Sequence, residues 1–126
     1  MSAGEKFPCP CCGYKVYSEG PGSHEICPIC LWEDDLVQLR WPCFVGGANG
    51  VSLVEAQKNF LEFGACKENL VKFTRKPVEY ECTAFGWRPI DLDVDYFGEN
   101  LDSLPYPRDK TLMYWWKEGF WLKGND

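Results

Sequence analysis

A chain of 126 residues, 45% hydrophobic and 16% aromatic, has enough apolar material to close one core and too much to remain globally disordered. Its formal net charge of -6 argues against capture of nucleic-acid backbone, which needs clustered Lys and Arg, and makes a basic protein the expected kind of partner. No apolar run approaches a membrane span and MSAGEKFPCP lacks a signal-peptide core, so a reducing, cytoplasmic setting is expected, in which clustered cysteines point to metal before disulfides.

In chain order, FPCPCCG comes first and holds Cys9 and Cys12 as a C-x2-C pair. A second pair, Cys27 and Cys30, follows after 14 intervening residues, close to the spacing of four-cysteine metal sites. Each C-x2-C turn can present two thiolates to one ion, and two such turns complete a tetrahedral shell, so Cys9, Cys12, Cys27 and Cys30 are the expected ligands of one zinc ion. Pro10 and Pro28 stiffen the turns, and Gly13 permits the positive φ that tightens the first of them. Cys11, beside Cys12, reads as non-ligating, and His24 as a surface loop residue. Replacement of one of the four by Cys11 or His24 stays open at this level. GYKVY and SHEIC, parted by the turn-rich EGPGS, are expected to form a zinc-ribbon-like β-hairpin unit over about residues 7–32.

Beyond the second pair, Glu33, Asp34 and Asp35 read as a solvated turn and GGANG as a loop. Ser52 and Glu55 have capping-box spacing ahead of Leu53, Ala56, Phe60 and Phe63, which share one helical face, and Gly64 supplies a stop; a helix over about 52–63 is expected. A short helical piece follows around 67–73. VEYECTAF alternates like a strand, and LMYWWKEGFWLK reads as a hairpin turning near Glu118 and Gly119, with a helix through Trp115 and Trp116 as the other option. Cys43, Cys66 and Cys82 read as small buried hydrophobes. These elements together predict one α+β domain, with a β-rich, aromatic and acidic extension over 81–126.

FPCPCCGY, ICPICLWEDD, GGANGVSLVEAQKNFLEFGAC and the RKP at 75–77 together resemble the bacterial cysteine-rich CPCC domain family over about residues 7–80. The resemblance implies a small metal-binding cytoplasmic domain without an established catalytic activity, similar in setting to the small proteins that accompany bacterial toxins.

The residues themselves also speak against catalysis. Four thiolates leave a metal no open position for water, the chain has one histidine, and GGANG is not followed by the Lys and Ser or Thr of a phosphate loop. Binding is therefore the expected function. Between Arg88 and Arg108 there is no basic residue, whereas Asp91, Asp93, Asp95, Glu99 and Asp102 all fall there. Those acids, with Trp87, Tyr96 and Phe97, form the expected docking surface for a protein, as in an immunity-type protein neutralising a cognate toxin. The alternative is a zinc-ribbon nucleic-acid module using Lys67, Lys72, Arg75 and Lys76.

Overall fold

The computed structural model describes residues 6–95, 97 and 106–117. Tyr96, Glu99, Asp102 and the turn expected at Glu118 and Gly119 lie outside the described residues. Strand β1 (Phe7–Pro8) pairs antiparallel with β2 (Lys15–Tyr17), Phe7 opposite Tyr17 and Pro8 opposite Lys15, with a register shift between the two. Helices α1 (Leu36–Arg40) and α2 (Leu53–Phe63) follow, then 3-10 turns at Glu68–Phe73 and Lys110–Met113. A short hairpin, a few helices and a cysteine cluster make this an α+β architecture.

The hairpin forms with a different partner from the one the β-prone runs suggested. GYKVY pairs back across the first cysteine turn with Phe7 and Pro8, not forward with SHEIC. The turn through Cys9–Cys12 reverses the chain by itself, so the residues on either side of it meet. The second cysteine turn does the same on a smaller scale, where Ile26 bridges to Glu33. SHEIC cannot extend as a strand because His24 sits at φ 67°, in the left-handed region.

Helix α2 follows its local code. The Ser52 side chain accepts from the Glu55 N–H at 3.0 Å, and Gly64 closes the helix at φ 85°. Leu53, Ala56 and Gln57 are buried, and Phe60 packs partly against the same core. Fully burying Leu53 contributes about 2 kcal/mol. Gln57 is polar yet buried because both ends of its amide are used: Nε2 donates to the Pro10 carbonyl at 2.8 Å and Oε1 accepts from the Ile90 N–H at 2.9 Å.

The acidic triplet after the second cysteine pair is not a solvated turn. Asp34 and Asp35 are buried. Asp34 accepts from the Ser23 amide and hydroxyl, at 3.0 and 2.7 Å. Asp35 caps α1 through the Gln38 N–H and accepts from the Ala48 N–H at 2.8 Å. The GGANG loop folds onto this triplet, with Asn49 bonded to the Glu33 backbone in both directions. A Cβ on Gly47 would stand 2.6 Å from an Asp35 carboxylate oxygen, so only glycine lets the loop approach so closely.

Further differences lie in the second half. VEYECTAF forms no strand; it keeps one bridge, Thr83 to Tyr14, flanked by Lys15 N–H to Cys82 O and Ala84 N–H to Gly13 O, both 3.0 Å. Its alternation has no surface to cover, since Val78, Tyr80 and Phe85 are exposed, and a turn from Val78 to Glu81 is pinned by the Arg75–Glu81 ion pair at 2.8 Å. Residues 112–117 are likewise not extended: the 3-10 turn runs into a second turn that packs Trp115 and Trp116 edge-on against Trp87. Cys66 is buried as expected, but Cys43 and Cys82 are exposed, one in the turn after α1 and one on the surface segment beside β2. Phe97 is buried rather than offered to a partner, its carbonyl accepting from Arg40 Nη1 at 2.6 Å.

Candidate metal centre

The two cysteine turns are copies of each other in their backbone–backbone hydrogen bonds. In the first, the Gly13 N–H donates to Cys9 O at 2.7 Å and the Cys9 N–H to Tyr14 O at 2.9 Å. In the second, the Leu31 N–H donates to Cys27 O and the Cys27 N–H to Trp32 O, both at 2.9 Å. Each turn closes on a residue of positive φ, Gly13 at 84° and Leu31 at 73°. For glycine this conformation is free; for leucine it costs roughly 1–2 kcal/mol, which the surrounding bonds and packing offset.

These matched turns face each other and bring four sulfurs together. Cys9 Sγ lies 3.6 Å from Cys30 Sγ and Cys12 Sγ 3.8 Å from Cys27 Sγ, and all four lie within 4.8 Å of one another. Such separations are far too long for a disulfide. They fit the edges of a tetrahedron of thiolates about a metal ion, which measure about 3.8 Å when each metal–sulfur bond is about 2.3 Å. The residues present therefore fit a thiophilic metal ion held by four sulfurs, all of them buried.

Neighbouring groups orient the sulfurs. The Ile29 and Cys30 amides point at Cys27 Sγ, at 3.3 and 3.5 Å. The Tyr17 hydroxyl donates to the Trp32 carbonyl at 2.7 Å and lies 3.6 Å from Cys9 Sγ, tying one cysteine turn to the other. Burial pushes the Cys9 and Cys30 thiols well above the usual range. Hydrogen bonding with Cys27 is the chief cause that raises Cys12, and hydrogen bonding with Cys12, Cys30 and Cys9 lowers Cys27. Four thiolates gathered in one buried place need a cation to balance their charge.

Cys11 is buried but is not one of the four clustered sulfurs, and His24 stays on the surface, its side chain 70% exposed and 3.5 Å from Glu33. Of the acidic interval, Asp91 and Asp93 are exposed. Asp95 is engaged within the chain: it forms a two-pronged ion pair with Arg88 at 2.8 and 2.6 Å and accepts from the Asp91 N–H at 2.8 Å. Two supporting residues went unread in the sequence. Nothing local marks Tyr17 as the tie between the cysteine turns. Gln57 did carry a signal, a polar residue next to the apolar face of α2.

A short hairpin and helices built around a buried four-cysteine cluster that could hold a metal ion define a small cysteine-rich domain. The chain belongs to the family described as Cysteine-rich CPCC, whose model matches residues 7–81 and so spans all four clustered cysteines and α2. A search of curated proteins gives no match. No described helix is long and apolar enough to cross a membrane.

Proposed function

We propose that the protein is a zinc-ordered binding module, acting by contact with a protein partner and not by catalysis. The observation that carries the metal part is the buried set of four Sγ atoms within 4.8 Å. Zinc suits it: a closed, all-thiolate tetrahedron of zinc-ribbon type contributes folding free energy and leaves no coordination position for a reacting water. Cys9, Cys12, Cys27 and Cys30 would hold the ion, while the Ile29 and Cys30 amides and Tyr17 steady the sulfurs.

The partner-binding part rests on the exposed stretch in which Leu92 and Val94 alternate with Asp91 and Asp93. Carboxylates beside exposed apolar side chains suit a cationic protein surface, such as the active site of a nucleic-acid-cleaving toxin that an immunity-type protein occludes. The test pairs two measurements on protein purified without added metal: elemental analysis, and capture of the neighbouring gene's product by wild type and by the Asp91→Asn, Asp93→Asn double variant. One zinc per chain, with capture weakened by the double variant, supports the reading. A metal-free protein of equal thermal stability, or capture indifferent to both carboxylates, overturns the corresponding half.

A further inference from the structure

Beside β2 lies a cleft of about 430 Å³ lined by Lys6, Lys15, Val16, Pro28, Arg75, Tyr80, Glu81 and Cys82. We propose that it binds single-stranded nucleic acid, with a base on the Tyr80 ring and phosphates on Lys6 and Lys15. The inference goes beyond the protein-binding reading and concerns different residues.

Charge comes first. The cleft places three cations against one carboxylate, and Glu81 is already matched by Arg75 in a two-pronged pair at 2.8 Å. Neither Lys6 nor Lys15 makes an ion pair among the described residues. Among the described residues two positive charges are therefore without an ion-pair partner, in a chain whose net charge is -6. The overall charge works against long-range capture, but beyond a Debye length of about 8 Å it is largely screened, and within that distance the cleft's own lysines decide.

Ring exposure supplies the second observation. Tyr80 is 84% exposed, Phe85 100% and Phe73 61%, in one stretch of chain that also carries Lys72, Arg75 and Lys76. An exposed aromatic ring beside cations is the arrangement by which proteins hold unpaired bases without reading sequence, the ring stacking a base while the cations track the backbone; Tyr80 is the ring that lines this cleft. The cleft volume falls in the range that encloses a nucleotide-sized group, and Val16 and Pro28 supply apolar wall. An acidic peptide would satisfy the lysines but leave the exposed Tyr80 ring in the cleft unused, which is why the nucleic acid is favoured.

The test is fluorescence anisotropy of the metal-loaded protein with a labelled 12-residue oligothymidylate. Two phosphate contacts predict a roughly 7-fold loss of affinity between about 50 and about 200 mM salt. Lys15→Gln and Lys6→Gln should each reduce the magnitude of the log–log salt slope by about 0.7. Tyr80→Ala should weaken binding roughly tenfold while Tyr80→Phe retains it. These side chains lie at the surface or line the open cleft, and unchanged circular dichroism confirms that the variants fold. No binding at about 100 µM protein, binding indifferent to Tyr80 and both lysines, or equal binding of the matching duplex, of ATP alone or of a poly-glutamate peptide would overturn the proposal.

Discussion

The indole of Trp87 lies flat over Gly13, so near that a Cβ on that glycine would stand 2.4 Å from two ring atoms. Gly13 is thus fixed twice, by its φ of 84° in the first cysteine turn and by the ring above it. Gly13→Ala should cost about 2–4 kcal/mol, from the left-handed backbone plus the overpacking. Urea unfolding of Gly13→Ala, Trp87→Leu and the double variant checks it: Trp87→Leu should relieve the contact and leave only the backbone part.

The second turn offers the reverse experiment. Leu31 holds φ 73° without being glycine, and packs partly against the core. Leu31→Gly should come out near neutral, because relief of about 1 kcal/mol in the backbone offsets a similar loss of apolar contact. Leu31→Ile should cost more than about 1 kcal/mol, since a β-branched residue tolerates that conformation worst. Thermal midpoints of the two variants decide the order.

Removal of any one clustered sulfur should strip the metal. Ser at Cys9, Cys12, Cys27 or Cys30 is expected to give substoichiometric zinc and a lowered thermal midpoint, whereas Cys11→Ser and His24→Ala keep the ion. Acidification should release it as well, because the ligating sulfurs must be thiolates and protons compete for them. A chromogenic zinc chelator, read during a pH titration, reports both.

Asp95 should make part of the stability pH-dependent. Burial alone would raise its carboxyl, but the Arg88 guanidinium and the Asp91 amide hold it below the usual carboxylate range. A depressed carboxyl stabilises the fold above its unfolded value, about 3.9, and that contribution is lost as pH falls through the lower folded value. Because the Arg88 side chain is 42% exposed, the contribution is screened to about 1 kcal/mol. Asp95→Asn should therefore destabilise at neutral pH and become indistinguishable from wild type near pH 2, as measured by urea unfolding at both.

Features encoded by near neighbours were legible in the sequence. Helix α2 carries its cap, its apolar face and its stop within one short stretch, and the cysteine pairs carry their spacing. Helix α1 has five residues and takes its cap from Asp35, which in sequence is merely one acid among three. The pairing of β2 was illegible because strands of two and three residues hold too little pattern to name a partner. VEYECTAF misled for a related reason: alternation signals a strand only when something covers one face, and here the apolar members stand in solvent. The seat of Trp87 on Gly13 and the closure of Gln57 on Ile90 join residues far apart in the chain, and no local window contains both ends.

The two hydrogen bonds of Gln57 also bear on how the chain comes to be folded during synthesis. The family match ends at residue 81, yet Ile90, whose amide closes one end of Gln57, lies beyond it, as do Thr83, bridged to Tyr14, and the Trp87 ring over Gly13. A nascent chain halted at that boundary would present a buried amide oxygen with no donor and an uncovered cysteine turn. The matched region thus takes part of its cover from residues outside it. During synthesis those contacts can form only after Thr83, Trp87 and Ile90 have left the ribosome, so they are the last part of the cover to close.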